Sequence, residues 1–492
     1  MTYRNPVLSG FYPDPSVCRV GDEYFLVTSS FVFSPGVPVF RSSNLVDWTQ
    51  IGNVLERPSQ LDLTATRDWS SLGIYAPTIR YHDGRFWMIT TNVGSGGARS
   101  FFVTSEDPAG PWSDPTSVLV PGIDPDLAWD DEGNCWVHFS GLGGIARCRI
   151  DTGTGEFLNE PELTWSGTGL QYPEAPHLYQ REGTWYLLIA EGGTHSGHCV
   201  SVARGPSPVG PWEGCPSNPI VSHRSTDAPI QNTGHGDLVE FADGSWWMVL
   251  LGVRPRGIGP GFHTLGRETF LVPVHWDGGW PVPGDPAPEM ATTAPGTAED
   301  APTPGREDFD APALGPQWVG LRRPPTAVSS LTDRPGRLVL HAGEATLDEP
   351  APTFVGRRQQ HHHCRATALV EAGTAAEAGL TLWLDEQAHY DVAIRGDRIV
   401  ARARVGSLDA VVGEAALPKD PVVLTIATGP HVHGPDTVSL GYVDDAGTAH
   451  TLAELDGRYL STEVTGGFLG RMIAMYAVGG EAAVDWFDYV ET

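Results

Sequence analysis

Five stretches in the first 250 residues repeat one pattern. DPSVCRVGDEYFLV begins at Asp14, APTIRYHDGRFWMI at Ala76, DPDLAWDDEGNCWV at Asp124, APHLYQREGTWYLL at Ala175 and HGDLVEFADGSWWMV at His235. Each runs through one residue, a Pro (Gly in the fifth), a polar residue, an aliphatic, a Gly-containing turn and an aromatic-rich strand. The anchors Pro15, Pro77, Pro125, Pro176 and Gly236 are spaced 62, 48, 51 and 60 residues apart. A strand-turn-strand unit of this size cannot bury its own apolar faces, whereas five of them in a ring can. The repeat therefore predicts a five-bladed β-propeller. A second motif supports it: SSNLVDW, SEDPAGPW and GPSPVGPW each end in Trp at a similar place after a repeat, at Trp48, Trp112 and Trp212. A β-sandwich with accidental similarity is the competing reading. Shared turn chemistry as well as shared hydrophobicity favours the propeller.

The repeat has a consequence for charge. Equivalent positions of the innermost strands face the same end of a propeller channel. Asp14 and Asp124 stand directly before their prolines, Glu174 stands two before Pro176, His235 precedes Gly236, and blade two offers Tyr75 and Ala76. Three carboxylates, a histidine and an aromatic are thus expected at one mouth. Like charges so close raise at least one pKa, and carboxyls pushed apart in pKa are the pattern of acid-base chemistry. Hydrolysis of a glycosidic bond needs such a pair. Arg267, in GRETF, can supply the compensating charge or can pair with its neighbour Glu268. Each acid also has a plainer reading: Asp14 and Asp124 beside prolines suit turns.

The chain changes character after about residue 285. Residues 1–285 read as the propeller, and 286–306 as a Pro/Ala-rich linker. Strand-like alternation returns over 307–492, a second all-β unit read as a sandwich. The net charge of −29 argues against binding nucleic acid or an anionic membrane and suits a neutral substrate. The N-terminal MTYRNPVLSGFYPDPS shows no basic stretch followed by an apolar one. The six cysteines show no CxxC pairing and read as reduced thiols. Together these give the expectation of a cytoplasmic protein. His361–His363 resemble a metal cluster, but in a strand neighbouring side chains alternate faces, which argues against one.

In NPVLSGFYPDPSV, APTIRYHDGRFW, GIDPDL, EAPHLYQREGTWYLL, TGHGDLVE and GRETF the chain resembles glycoside hydrolase family 43, especially its two-domain β-xylosidases and α-L-arabinofuranosidases. FVGRRQQH, AGLTLWLDEQAHYDVAI and VDWFDYVE are similar to that family's concanavalin-like sandwich. The resemblance implies an exo-acting, inverting enzyme that removes one terminal pentose from a small oligosaccharide. It implies Asp14 as general base, Glu174 as general acid and Asp124 as the carboxylate that orients the acid. It implies Arg267 as a ligand of the sugar, Phe31 as an aromatic wall and Phe468 as an aromatic lid lent by the sandwich. His235 matches the central histidine that in some members helps hold a calcium ion or water, so no cofactor is required but a structural calcium in the channel is allowed for. A homo-oligomer is left open. Tyr75 departs from the Trp that many relatives carry before Ala-Pro, with consequences for the choice between xylopyranose and arabinofuranose. The alternatives are a retaining fructan or sucrose hydrolase of the related five-bladed class, whose NDPNG, RDP and EC motifs are lacking here, and a non-catalytic glycan-binding protein.

Overall fold

The computed structural model describes residues 2–291 and 305–492. Its first half is built from five antiparallel sheets. Four have four strands each, and the one beginning with Thr78–His82 gains a fifth, short strand, Gly73–Ile74. The innermost strands are Ser16–Val20, Thr78–His82, Gly122–Trp129, Glu174–Arg181 and Gln231–Glu240. Each begins at or within a few residues of the repeat's anchor. The sheets touch in sequence order, and the fifth packs back on the first. This is the ring that the repeat predicts.

The ring is closed by the start of the chain. Leu8 bridges to Thr269 in blade five, and Thr2–Arg4 pairs with Glu289–Ala291. The latter strand lies inside the segment read as linker (286–306); residues 292–304 of that segment lie outside the described residues. The three tryptophans of the second motif sit just before the fourth strand of their blades. Two of the indoles close those turns, Trp48 Nε1 donating to Leu45 O and Trp112 Nε1 to Pro108 O, while Trp212 Nε1 donates across to Thr164 Oγ1 of blade three.

The second half is a sandwich of a seven-stranded and a six-stranded sheet. In the seven-stranded sheet, Cys364–Glu371 and Val422–Gly429 alternate buried and more exposed residues, because one face meets the opposite sheet, whereas Thr353–Arg358 and Ala388–Arg395 of the six-stranded sheet are buried almost throughout. The two halves share a core. Phe11, Phe31, Val32 and Phe33 of the propeller pack in one apolar cluster with Trp318, Phe354 and Trp383 of the sandwich. Phe33–Ser34 also pairs with Gly320–Leu321. Among the described residues no helix is long and apolar enough to cross a membrane.

Candidate active site

Asp14, Asp124, Ala175 and His235 occupy the same repeat position, one before the anchor, and all four have positive φ, between 49° and 56°. The left-handed region is tolerated best by Asp, Asn and His among residues with a Cβ, which suits three of the four. Asp14 is therefore not extended, as the residue before a proline usually is. The innermost strands of blades three, four and five bulge at this point, turning these side chains out of the ladder and into the channel. In blade four the left-handed position is spent on Ala175, so the carboxyl comes from the preceding residue, Glu174. Such strain is found where a fixed side-chain direction serves function.

One narrow pocket, with a cavity volume of about 100 Å³, is lined by Asp14, Phe31, Tyr75, Ala76, Ile123, Asp124, Glu174, Thr194, His198, His235, Arg267 and Phe468. All eight residues singled out from the sequence lie in its wall. Four more do so, of which the repeat had placed only Ala76 at this mouth. Ala76 and Ile123 directly adjoin foreseen residues. Thr194 and His198 lie on the loop after the second strand of blade four, outside any repeat position, and the repeat gives no signal for them.

Asp14 is buried and held from three sides. Ser29 Oγ donates to Oδ2 at 2.5 Å, Arg267 Nη1 donates to Oδ1 at 2.8 Å, and His235 Nδ1 lies 3.6 Å from Oδ1. Burial raises its pKa, but Arg267 and then its other neighbours outweigh burial and leave it below the ordinary carboxyl value. His235 is itself neutral near pH 7, since burial pushes its pKa down to about 3. Arg267 is thus the standing positive charge at Asp14.

The other two acids go the opposite way. Burial first, then the charges of Asp124 and Asp14, pushes Glu174 up to about 8. Burial and Asp14 push Asp124 up to about 7, against a hydrogen bond from the Ala175 amide. The two titrate as a pair, so near neutral pH the site holds one firmly ionised carboxylate, Asp14, facing carboxyls that retain a proton.

Arg267 does not pair with Glu268. Its Nη1 also donates to Thr194 Oγ1 at 3.0 Å, and its guanidinium lies 5.7 Å from the Phe31 ring and 5.6 Å from the Phe468 ring. Glu268 instead accepts from Arg254 and from the Gly10 amide. Phe31 and Tyr75 stand with ring centroids 5.2 Å apart, each about 6 Å from Phe468. Phe468 arrives from the sandwich, and its amide donates to Ser71 Oγ at 2.9 Å. A side chain at Gly467 would meet Ser71 Oγ at 2.4 Å, so only glycine lets the loop seat so low. Tyr75 OH donates to the Ser71 carbonyl at 3.0 Å.

Below the pocket a second ring closes the channel. The polar residues just after the anchors, Ser16, Thr78, Asp126, His177 and Asp237, are all buried. Arg80 enters among them: its guanidinium lies 2.9 Å from Asp126, donates to Asp237 at 3.0 Å and lies 2.9 Å from His177 Nδ1. Calcium takes six to eight oxygen ligands. The two deep carboxylates here are already neutralised by Arg80, and around His235 stand the imidazoles of His177 and His198 and the carboxylate of Asp14, which Arg267 and Ser29 already hold. That donor set does not fit a calcium ion held by protein oxygens. No group of three His, Cys, Asp or Glu among the described residues could hold a metal. His361–His363 precede the strand Cys364–Glu371 and lie in a loop rather than in a strand as expected, with His361 Nδ1 3.1 Å from Tyr489 OH.

Residues 3–281 match the family model described as glycosyl hydrolases family 43, and residues 306–490 match that of a beta xylosidase C-terminal concanavalin A-like domain. The chain is 39% identical over 511 residues to a non-reducing end alpha-L-arabinofuranosidase of Bacteroides ovatus, covering 99% of this chain and 94% of the relative. It is 37% identical to a xylosidase/arabinosidase of Butyrivibrio fibrisolvens, covering 99% and 98%. Among solved structures, the xylan beta-1,4-xylosidase of Bacillus halodurans matches with a TM-score of 0.91 at 32% identity, covering 99% of this chain and all of that one.

Proposed function

This chain belongs to glycosyl hydrolase family 43, and from that premise we propose that it removes single terminal pentoses, β-D-xylose or α-L-arabinofuranose, from short xylan- or arabinan-derived oligosaccharides. It is a glycosidase that hydrolyses O-glycosyl bonds. The observation that carries the mechanism is the opposed pair in one roofed pocket: Asp14 held ionised by Arg267, and Glu174 pushed up to about 8. Asp14, as general base, draws a proton from water as that water attacks the anomeric carbon. Glu174, as general acid, protonates the departing glycosidic oxygen. One displacement of this kind inverts the anomeric centre. Asp124 keeps its partner protonated, and its contact with the Ala175 amide fixes the backbone next to Glu174. Phe31, Tyr75 and Phe468 give apolar faces for a sugar ring, and their closeness leaves room for one terminal unit. A role confined to binding glycans has no need of a carboxyl kept protonated at neutral pH.

The test is a set of initial rates on the nitrophenyl glycosides of β-D-xylopyranose and α-L-arabinofuranose, for wild type, Asp14→Asn and Glu174→Gln. Turnover by wild type that is lost in the folded variants supports this reading and names the pentose. Turnover that survives in Asp14→Asn would remove Asp14 as the base. No turnover of either glycoside by wild type would point to another sugar or to a binding role.

The same reading extends to location. All six cysteines are buried free thiols, which suits a reducing compartment, and an enzyme there meets imported short oligosaccharides. Faster hydrolysis of insoluble xylan than of xylobiose would overturn this.

A further inference from the structure

We propose that the clasp between His263 and Glu463 is a positioning device for hydrolysis, holding Phe468 over the pocket and Arg267 against Asp14 at the same time. The proposal rests on the glycosidase reading above and goes beyond it by naming what sets the lid.

Phe468 belongs to one half of the molecule and the pocket to the other, so something must fix their separation. His263 does so with all three of its nitrogens. Its amide donates to Glu463 Oε2 at 3.1 Å, its Nδ1 lies 2.5 Å from Glu463 Oε1, and its Nε2 lies 2.9 Å from Thr462 Oγ1. Glu463 is only a quarter exposed at this contact, and charge-assisted bonds shielded from water are the strong ones.

The clasp stands at the head of two short segments that run together into the site. From His263 the propeller chain reaches Arg267 four residues later. From Glu463 the sandwich chain reaches Phe468 five residues later. The propeller segment then packs on the sandwich chain just past Phe468. Arg471 N donates to Thr264 O at 3.2 Å, and a side chain on Gly470 would lie 2.5 Å from Leu265 O. A side chain on Gly266, whose φ is +80°, would lie 2.8 Å from the Gly470 Cα. The sandwich loop that carries Phe468 is thus gripped by the propeller segment on both sides, at Glu463 and at Gly470–Arg471, and cutting the clasp removes one of the two grips. At the ends of the two segments Arg267 and Phe468 meet, 5.6 Å from guanidinium to ring.

A separate anchor keeps the lid attached when the clasp is cut. Arg322 of the sandwich donates to Thr66 O and to Ser70 Oγ and pairs with Glu386 at 2.7 Å, which fixes the loop whose Ser71 receives the Phe468 amide. Removing His263 should therefore loosen the lid without unfolding the protein.

The experiment compares full-length wild type with His263→Ala, Glu463→Ala, the double variant and His263→Asn, whose amide can replace the Nδ1 donor. Two quantities are read: kcat and KM on the nitrophenyl glycoside that wild type turns over, and amide hydrogen exchange across residues 462–470. Both alanine variants should raise KM roughly tenfold, the scale of one lost charged hydrogen bond, with a smaller fall in kcat. Exchange across 462–470 should quicken. The double variant should be no worse than the worse single, because both cut one contact, and His263→Asn should recover part of the loss. Unchanged KM and exchange in the single variants, or losses that simply add in the double, would overturn the clasp. If wild type turns over no glycoside, the proposed function fails and exchange alone decides whether the clasp holds the lid.

Discussion

Arg267 Nη1 donates to Asp14 Oδ1 at 2.8 Å, although 253 residues separate them in the chain. The contact joins blade five to the loop that opens blade one. It gives the base its charge partner at the place where the ring closes. Both side chains are buried, and the guanidinium holds the Asp14 carboxyl below its ordinary pKa.

Asp14→Asn should abolish turnover and also destabilise the fold. Asn accepts the same left-handed backbone, so the loss reports charge and not the turn. The rate should fall roughly 10²–10⁴-fold. Arg267 is left as a buried cation with only Thr194, which costs about 3 kcal/mol. Rates and chemical unfolding of the same preparation check both.

Glu174→Gln should act oppositely on stability. The folded protein keeps the Glu174 proton up to about pH 8, whereas the unfolded chain releases it near the ordinary value of about 4.3. Between those values the unfolded state sheds its proton first, so folding stability falls as pH rises. Glutamine removes this penalty. Tm should rise by roughly 2–4 °C at pH 7–8 and change little at pH 4, while activity is lost. A Tm that falls at pH 8 would contradict the assignment.

The pH profile of kcat/KM should be bell-shaped. Activity requires Asp14 ionised, so the acid limb lies below the ordinary carboxyl range; it requires a protonated Glu174, so the basic limb lies near 8. Asp124→Asn removes one charge that raises Glu174. The basic limb should then move to lower pH, yet stay above the ordinary Glu value because burial is the larger cause. A limb that stays in place would deny the coupling.

Phe468→Ala should lower kcat/KM on both nitrophenyl glycosides roughly ten- to hundredfold, as expected for loss of a large buried aromatic contact. The fold should hold, because the sandwich core does not depend on this half-buried ring. Steady-state kinetics with a thermal melt tests this.

Dialysis against a chelator should leave rate and Tm unchanged, since Arg80 already supplies the cation between Asp126 and Asp237. A loss restored by calcium alone would show an ion held largely through water beside His235.

Much of this site could be read from the chain because the repeat acts as a ruler. Residues that share a repeat position share a level along the axis, so Asp14, Asp124 and His235 could be brought together without any contact being known. The same ruler held a second message. Ser16, Thr78, Asp126, His177 and Asp237 are two residues further along, and they build the buried ring around Arg80. His198 and Thr194 could not be found this way. Their loop has no counterpart in the other blades, and its path depends on what it packs against.

The sequence by itself determined the ring of five strand-turn-strand units, the sandwich after it and the set of acids at one mouth, because periodic hydrophobicity and turn residues are local and act wherever they occur. Only the tertiary structure decided the protonation of those acids, the pairing of Arg267 with Asp14 rather than Glu268, and the left-handed backbone that makes Glu174 stand one residue out of register. Those outcomes depend on burial and on charges brought within a few ångströms by chain segments hundreds of residues apart, and no local pattern carries that distance.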